Sequence, residues 1–587
     1  MTLIAGILSR NNQPLPDSAC ARIRQSISRN PADEIKVFRD HSTFFAKVDV
    51  GAFGEPGFIV DQSGALSLMA GEPLLANREA ASVSNRQHDL AVVHDQCLKG
   101  NWDVLREADG TFCMVHYQPQ TGALSLMADK LGVRPLYFWA HNDVIVFASA
   151  LRILEELPLV PKQMDLRAVT ELVGLGAPLA DRTPYAGISL LRAGEIVRIT
   201  NETISRRRYW RWDEIATSSD SEAVRLETVY DRFQTAVDRR IRNDRATTAY
   251  LSGGLDSRCV VAALRPERAR VHTFNFARPG TQDYCFGNDF AEAIGSIHES
   301  LPKELGDSVP DYSSLMAKAL KESQSFRQSP PERPRVVWSG EGGSVLLGLV
   351  HISKSIVELM RTGNIDGAIE EYLQREHIHV PRQLFRPQIL ENICQVIKRG
   401  IHEELSQLHA EDAGRNFYLF LMHNDQRRKL MNHFEDIDLH RLEFQLPFFD
   451  GQFLESVIAT PFDVCLQHKF YVKWLSRFTP EVTAVPWQAY PGHEPCPLET
   501  PIGLAYQWNE SYQANENASK KRWALRQALE LLGSVDFPNQ ILSKRNLRLA
   551  ALIHLTGWRD YQYAIEAAQT YHIYAKKCGG EFTFSFS

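Results

Sequence analysis

The residues with the most chemical potential form one run, SGGLDS, from Ser252 to Ser257. It follows TTAYL, a β-favouring stretch, and leads into CVVAAL, the start of an apolar helix. Ser252, Gly253 and Gly254 let backbone N–H groups turn toward one point with no Cβ in the way. The helix behind them aims the positive end of its dipole at that point. Ser257 adds a hydroxyl donor in the first turn. A loop of this kind suits a phosphate. Asp256 would repel a bare phosphate and makes sense where Mg²⁺ bridges the two. No lysine follows as in GxxxxGK[ST], and the run is not GxGxxG. Its design favours pyrophosphate over a transferred terminal phosphoryl group. A glycine pair alone would be read as a turn; the complete run between strand and helix carries the reading.

The elements that must hold this loop come from a chain of 587 residues, too long for one core, so two or more domains are expected. Apolar residues make up 44% and charged residues 23%, the balance of an ordinary globular protein. The net charge of −6 disfavours a nucleic-acid partner. No apolar run reaches membrane-span length, and the N-terminus has no signal-peptide pattern, so a cytoplasmic protein with no membrane partner is expected. Nine cysteines without a CxxC pair fit a reducing compartment.

The first 200 residues are strand-rich. LIAGIL, TFFAKV, LSLMA, LAVVH, TFCMVHY, ALSLMA, LYFWA and VIVFAS are short β-favouring runs separated by turn residues, which predicts an α+β layered domain over 1–205. RRRYWRWDE opens a linker at 206–220, whose TSSDSE supplies a helix N-cap. Leu226, Val229, Tyr230, Phe233, Val237 and Ile241 then recur at helical spacing, with Arg239, Arg240 and Arg242 read as a solvated basic face. From there strands and helices alternate through VHTFNF, FAEAIG and VVWSG. This predicts a doubly wound parallel α/β sheet within 221–510. Residues 511–587 read as a helical extension.

SGGLDS in this setting resembles the pyrophosphate loop of the ATP pyrophosphatases, in the form used by asparagine synthetases, β-lactam synthetase, carbapenam synthetase and lasso-peptide cyclases. The resemblance extends over most of residues 1–500. MTLIAGILSR is similar to the family's N-terminus, ADGTFCMVHYQPQTGALSLMADKLGVRPLYFW to its hairpin and Pro-Leu-Tyr segment, and RRRYW to its domain junction. SGEGG at 339–343 is similar to its second glycine loop, and HRLEFQLPFFD at 440–450 to a later helical segment. The resemblance implies an N-terminal Ntn-hydrolase-like domain of the type 2 glutamine amidotransferase kind, followed by a PP-loop domain of the adenine nucleotide alpha hydrolase-like class. It implies that ATP adenylates a substrate carboxylate with release of pyrophosphate, and that an amine then displaces AMP. By motif position, Leu251 and Phe276 would line the adenosine site. Ser252, Gly253, Gly254, Leu255, Asp256 and Ser257 would hold pyrophosphate, with Asp256 as the Mg²⁺ ligand. Ser339 and Gly340 would approach the nucleotide. Glu341 would take the proton of the attacking amine, a role that requires burial to raise its pKa.

The chain departs from the family in four places. Thr2 and Leu3 stand where glutamine-using members carry Cys-Gly. Ala70, Gly71 and Glu72 stand where they carry Asn-Gly-Glu, so the oxyanion amide is gone. One such donor is worth about two to three orders of magnitude in rate. The glutaminase site Thr2, Ala70, Gly71, Glu72 is therefore read as degenerate. In the second loop Ser344 and Val345 fill the two acidic positions. Where a charge-neutralising lysine is expected, TAVPWQAYPGHEPCP has none, leaving His493, Lys469 or Lys473 as substitutes, and Trp487 and Tyr490 as a substrate wall.

These readings lead to an AMP-forming carbon–nitrogen ligase that uses ATP and Mg²⁺, without its own glutaminase. Its partners would be a small-molecule or peptide carboxylate and an amine donor, with a homodimer left open. Sugar-acid amidation and cyclisation of a peptide or small molecule are both compatible. A synthetase fold that binds nucleotide or a partner without catalysis is the other class.

Overall fold

The computed structural model describes residues 2–75, 85–141, 143–264, 269–302, 311–506 and 514–584. The N-terminal half stacks two six-stranded antiparallel sheets. One runs Ile188–Leu190, Tyr137–His141, Val144–Ala148, Thr2–Ser9, Thr43–Asp49, Ile35–Arg39. The other runs Ile204–Arg208, Glu195–Ile199, Ala123–Ala128, Phe112–Gln118, Leu66–Gly71, Phe58–Val60. Ile4, Leu8, Phe45, Leu68, Val115 and Phe147 pack between them. Helix Asp17–Ser26 covers the outer face of the first sheet, setting Ala19 and Ile23 against Leu3, Ala5 and Ile7. Helix Arg86–Leu98 covers the second, setting Leu90, Val93 and Cys97 against Met69, Met114 and Met127. The expected α+β layering is thus helix, sheet, sheet, helix. Strand Thr2–Ser9 is buried on both faces, which is why its sequence is continuously apolar instead of alternating.

Two readings of this half are corrected. LAVVH is not a strand but the middle of helix Arg86–Leu98, whose N-cap Asn85 accepts the His88 N–H at 2.7 Å. Leu90, Val93 and Cys97 are spaced three and four apart, and burial of that face outweighs the β preference of two valines. The segment opening at Arg206 is not a loose linker. Ile204–Arg208 is a sheet strand. Tyr209 donates its hydroxyl to the Ala128 carbonyl at 2.8 Å, and the Trp212 indole donates to the Lys130 carbonyl at 2.8 Å, both side chains buried. A buried indole or phenol finds a partner, and these fix the junction.

The C-terminal half is built on a five-stranded parallel sheet, in the order Ile297–Ser300, Arg270–Asn275, Ala246–Tyr250, Val336–Trp338, Glu443–Gln445. In chain order this is 3-2-1-4-5. The winding reverses between Ala246–Tyr250 and Val336–Trp338, and ligands bind outside the carboxyl ends of strands at such a switch point. Helix Glu222–Ile241 precedes the sheet, capped by the Ser221 hydroxyl as TSSDSE predicts.

Arg239, Arg240 and Arg242 are not a solvated face. Arg239 reaches Asp109 at 2.8 Å, Arg240 reaches Asp450 at 2.7 Å, and Arg242 pairs with Glu72 and Glu55. Arg134 pairs with Glu443 of the parallel sheet, and Tyr137 donates its hydroxyl to Glu435 at 2.5 Å. Three of these acids, Asp109, Glu72 and Glu55, come from the N-terminal half, so an ionic seam joins the halves. Helices Ala514–Gly533, Lys544–Thr556 and Gln562–Lys577 follow, then a short strand, Phe582–Thr583, that pairs in parallel with Met164–Asp165. The domain edge expected at 510 lies outside the described residues. No described helix is long and apolar enough to cross a membrane, and none of the nine cysteines is paired.

Candidate active site

The sheet order dictates where the two glycine loops meet. SGGLDS leaves the end of Ala246–Tyr250 and SGEGG the end of its parallel neighbour Val336–Trp338, on the two sides of the switch point. They are in contact. A Cβ on Gly340 would lie 2.4 Å from the Ser257 amide nitrogen, and one on Gly343 would lie 2.6 Å from the Asp256 carboxyl carbon. Only glycine permits that approach. Above the loops is a cavity of about 500 Å³.

Ser252, Gly254, Leu255, Asp256, Ser257, Ser339, Gly340 and Glu341 all face this cavity. Leu251 and Phe276 do not: both are buried behind it, Phe276 against the Tyr250 and Tyr312 rings that do line the space. Gly253 is likewise behind the surface, its N–H given to Asp283 Oδ1 at 2.7 Å. The other loop amides are also occupied. Ser252 N–H donates to Ser257 Oγ at 3.0 Å, and Gly254 N–H to Ser252 Oγ at 3.2 Å. The expectation that amides 252–254 point at a ligand is therefore corrected. They brace the loop, and the donors left to the cavity are the first-turn amides of helix Leu255–Leu264 and the serine hydroxyls.

Asp256 is the most constrained group. Its Oδ1 accepts the Ser344 hydroxyl at 2.8 Å and the Tyr471 hydroxyl at 2.8 Å, and its Oδ2 accepts the Ser344 N–H at 2.9 Å. Burial pushes its pKa up to about 6 against the pull of those three donors, with the Glu341 charge adding to the rise. A magnesium ion needs oxygen ligands with room for it. Both oxygens here are engaged, the neighbour that replaces the family's acid is a hydroxyl, and among the described residues no three His, Cys, Asp or Glu side chains are placed to hold a metal. Asp256 does not fit the role of metal anchor. It fastens the second glycine loop and Tyr471 to the first. Glu341, expected to be buried, is exposed to the cavity.

The wall opposite the loops comes from 468–490. Arg258, directly after SGGLDS, is fully buried and donates to the Val482, Val485 and Pro486 carbonyls at 2.9, 2.6 and 2.7 Å. It thereby holds the proline-rich segment whose Trp487 and Tyr490 line the cavity. Gln488 N–H closes on the Gly253 carbonyl at 3.0 Å. The His468 ring stacks between Tyr471 and Tyr490, at 5.7 and 5.4 Å. His493 lies behind it, Nδ1 to Nδ1 at 2.7 Å. Lys473 is on the surface, paired with Glu222 at 2.8 Å, and neither it nor Lys469 faces the cavity. The far end is aromatic: Tyr250, Tyr312, Phe434 and Phe444. The charged lining is Asp256, Asp283, Glu341 and Glu494, and among the described residues that line the cavity there is no lysine or arginine. Asp283, Tyr471, His468, Tyr312, Phe434 and Phe444 carry no sequence signal, because each joins the site from a distant element.

The other candidate cluster is closed. Thr2 is 2% exposed, its hydroxyl donating to Asp49 Oδ2 at 3.0 Å and accepting from Arg86 at 3.1 Å. Arg86, wholly buried, also reaches Asp49 at 2.8 Å. Ala70 is buried in its strand, Gly71 abuts Arg134, and Glu72 is locked into the seam by Arg242 and by the Gln445 amide at 2.8 Å.

Residues 79–210 match the glutamine amidotransferase domain and residues 228–477 the asparagine synthase family. The first match begins after Thr2 and after Ala70–Glu72. Asparagine synthetase (glutamine-hydrolyzing) 3 of Bacillus subtilis is 22% identical over 310 residues, 47% of this chain and 50% of that protein. Asparagine synthetase (glutamine-hydrolyzing) 1 of the same organism is 22% identical over 307 residues, 49% of this chain and 46% of that protein. The chain thus spans about half the length of these curated relatives. A solved glutamine phosphoribosylpyrophosphate amidotransferase from B. subtilis covers 58% of this chain and 71% of its own at 12% identity, with a TM-score of 0.21 that bears no weight.

Proposed function

The chain belongs to the asparagine synthetase family, and from that premise we propose that it is an ATP-dependent ligase that adenylates a substrate carboxylate, releases pyrophosphate and joins the acyl group to an amine or ammonia. The observation that carries the reading is the contact of two glycine loops across the switch point of a parallel sheet, under a cavity of about 500 Å³. Ser252, Ser257 and the first-turn amides of helix Leu255–Leu264 hold the pyrophosphate side. Ser339 and Gly340 flank the nucleotide. Glu341 faces the cavity beside the loops, but it is exposed, so the burial that general-base action requires is not met and the amine's proton is not assigned to it. A magnesium ion would have to be supplied together with the nucleotide, because Asp256 does not fit as its anchor. No glutamine hydrolysis is proposed, because the Thr2 hydroxyl sits in the buried Asp49–Arg86 pair. The aromatic end suits either the adenine or an apolar acyl group.

ATP–pyrophosphate exchange over a panel of carboxylates tests this. Exchange with at least one acid, lost in Glu341-independent fashion in Ser257→Ala, is expected. No exchange with any acid, together with no ATP binding, would sink the reading.

A second reading has its own support. The occupied loop amides, the saturated Asp256 and a lining with no lysine or arginine among the described residues suit a fold that binds nucleotide or a partner without turnover. Calorimetry beside exchange separates the two: ATP binding with pyrophosphate exchange supports the first, and ATP binding without exchange for any acid supports the second.

A further inference from the structure

The outer face of the second antiparallel sheet changes character from one row of side chains to the next. Met69, Met114, Met127 and Ile196 stand side by side on four neighbouring strands and pack under helix Arg86–Leu98. One row further along the same strands stand Ser67, His116, Ser125 and Arg198, all polar. A face that only packs would stay apolar.

Half of this row is hydrogen-bonded. The Ser67 hydroxyl lies 2.8 Å from His94 Nδ1 and 2.9 Å from His116 Nδ1, and His94 Nε2 lies 3.3 Å from Asp61. Asp61 can only accept, so His94 carries its proton on Nε2 and its Nδ1 accepts the Ser67 hydroxyl proton. Ser67 Oγ then accepts from His116 Nδ1. His116 Nε2 is left as an acceptor, with the Gln118 amide near it at 3.3 Å. Burial, with His94 alongside, holds the His116 ring neutral, its pKa lowered to about 4.

The other half of the row is open. Ser125 is 3% exposed, yet its hydroxyl makes no hydrogen bond to a described residue, and the exposed Arg198 guanidinium has no partner among them. Ser125, Arg198, His116 and Gln118 all face one cavity of about 240 Å³, roofed by Cys97, Leu98 and Trp102. Its charged lining is Lys99 and Arg198, with no acid among the described residues. Lys99 is spent on Asp95 at 2.5 Å, so Arg198 is the cation left to the cavity.

We propose that this cavity binds a small carboxylate bearing a hydrogen-bond donor on the adjacent carbon, the carboxylate on Arg198 and Ser125 and the donor on His116 Nε2. One guanidinium fork matches one carboxylate and neutralises it. The buried Ser125 hydroxyl gains the partner it lacks. The relay from Asp61 through His94 and Ser67 fixes the His116 tautomer that accepts. The site shares no residue with the catalytic cavity.

The test is calorimetric titration of the full chain with L-lactate, L-alanine and propionate. Binding of lactate identifies a hydroxy acid as the ligand class, and binding of alanine an amino acid. Propionate has the carboxylate without the donor and should bind several-fold more weakly than whichever of the two binds. Arg198→Gln should weaken the event about tenfold, the scale of one charge-assisted contact. Ser125→Ala should weaken it by a smaller factor and leave the melting temperature as it is, because the hydroxyl has no hydrogen bond to lose. Ser257→Ala, in the catalytic cavity, should leave the event unchanged. The proposal is overturned if none of the three acids binds, if propionate binds as tightly as the others, if Arg198→Gln and Ser125→Ala both bind as wild type does, or if Ser257→Ala removes the event instead.

Discussion

At Asp256 three donors converge on one carboxylate: a hydroxyl and an amide from Ser344, and a phenol from Tyr471. Serine at 344 converts what would be a pair of acids into a donor–acceptor contact, and the buried charge is compensated by hydrogen bonds. Tyr471→Phe removes one donor to a buried carboxylate and should cost about 1.5–3 kcal/mol, read as a shift of the denaturation midpoint. An unchanged midpoint would mean that the contact contributes nothing. Ser344→Asp puts a second carboxylate against the first. That variant should melt below wild type in chelator and recover with added Mg²⁺, whereas wild type should show no such recovery; equal responses would refute the account of why Asp256 is closed to metal.

Arg258 fixes an element from below. One buried guanidinium holds three carbonyls of the 482–486 segment and so sets the position of Trp487 and Tyr490. Arg258→Met should keep the packing volume but release the segment. Limited proteolysis should then cut between 482 and 500 faster than in wild type, and ATP should bind several-fold more weakly. Resistance equal to wild type would show that the segment holds itself. The elements explain what the sequence disclosed. SGGLDS and SGEGG were legible because strand, glycine turn and helix start are contiguous, and the parallel sheet because its βα alternation is local. Tyr471, Asp283 and Phe444 were not legible, because tertiary folding alone brings them to the loops. LAVVH was misread because its β-branched residues favour strand locally while Leu90, Val93 and Cys97 bury a helical face. Arg239, Arg240 and Arg242 do not read as buried from the sequence because three of their acidic partners, Asp109, Glu72 and Glu55, lie more than a hundred residues earlier.

For the molecule as a whole, the seam and the buried histidines set the response to acid. Burial holds His116 and His298 at about 4, His423 and His468 at about 3, all below the ordinary 6.5. A base with a depressed folded pKa takes up its proton more readily when unfolded. Stability is therefore full above about pH 6.5 and is lost as pH falls toward 4. The melting temperature should drop steeply across that window, and His116→Gln should flatten part of the drop. A flat profile from pH 7 to 4.5 would contradict the burial of these rings. In the seam, Glu72→Gln leaves Arg242 with Glu55 as its remaining acid and should lower the midpoint by about 1–3 kcal/mol.

The short strand Phe582–Thr583 lies beside Met164–Asp165, and the Tyr571 hydroxyl donates to Thr170 at 2.8 Å in a buried contact. This has a consequence for order in time. During synthesis an N-terminal half ordinarily folds first. Here the strand edge at Met164–Asp165 stays unpaired on that side until more than four hundred further residues have been made. Helix Gln562–Lys577 and strand Phe582–Thr583 thus close a layer made much earlier, and a ribosome-arrested chain ending before Gln562 should leave the Met164–Asp165 edge accessible to protease while the two antiparallel sheets, and helix Leu166–Leu175 where it packs on Pro387–Leu405, are already protected.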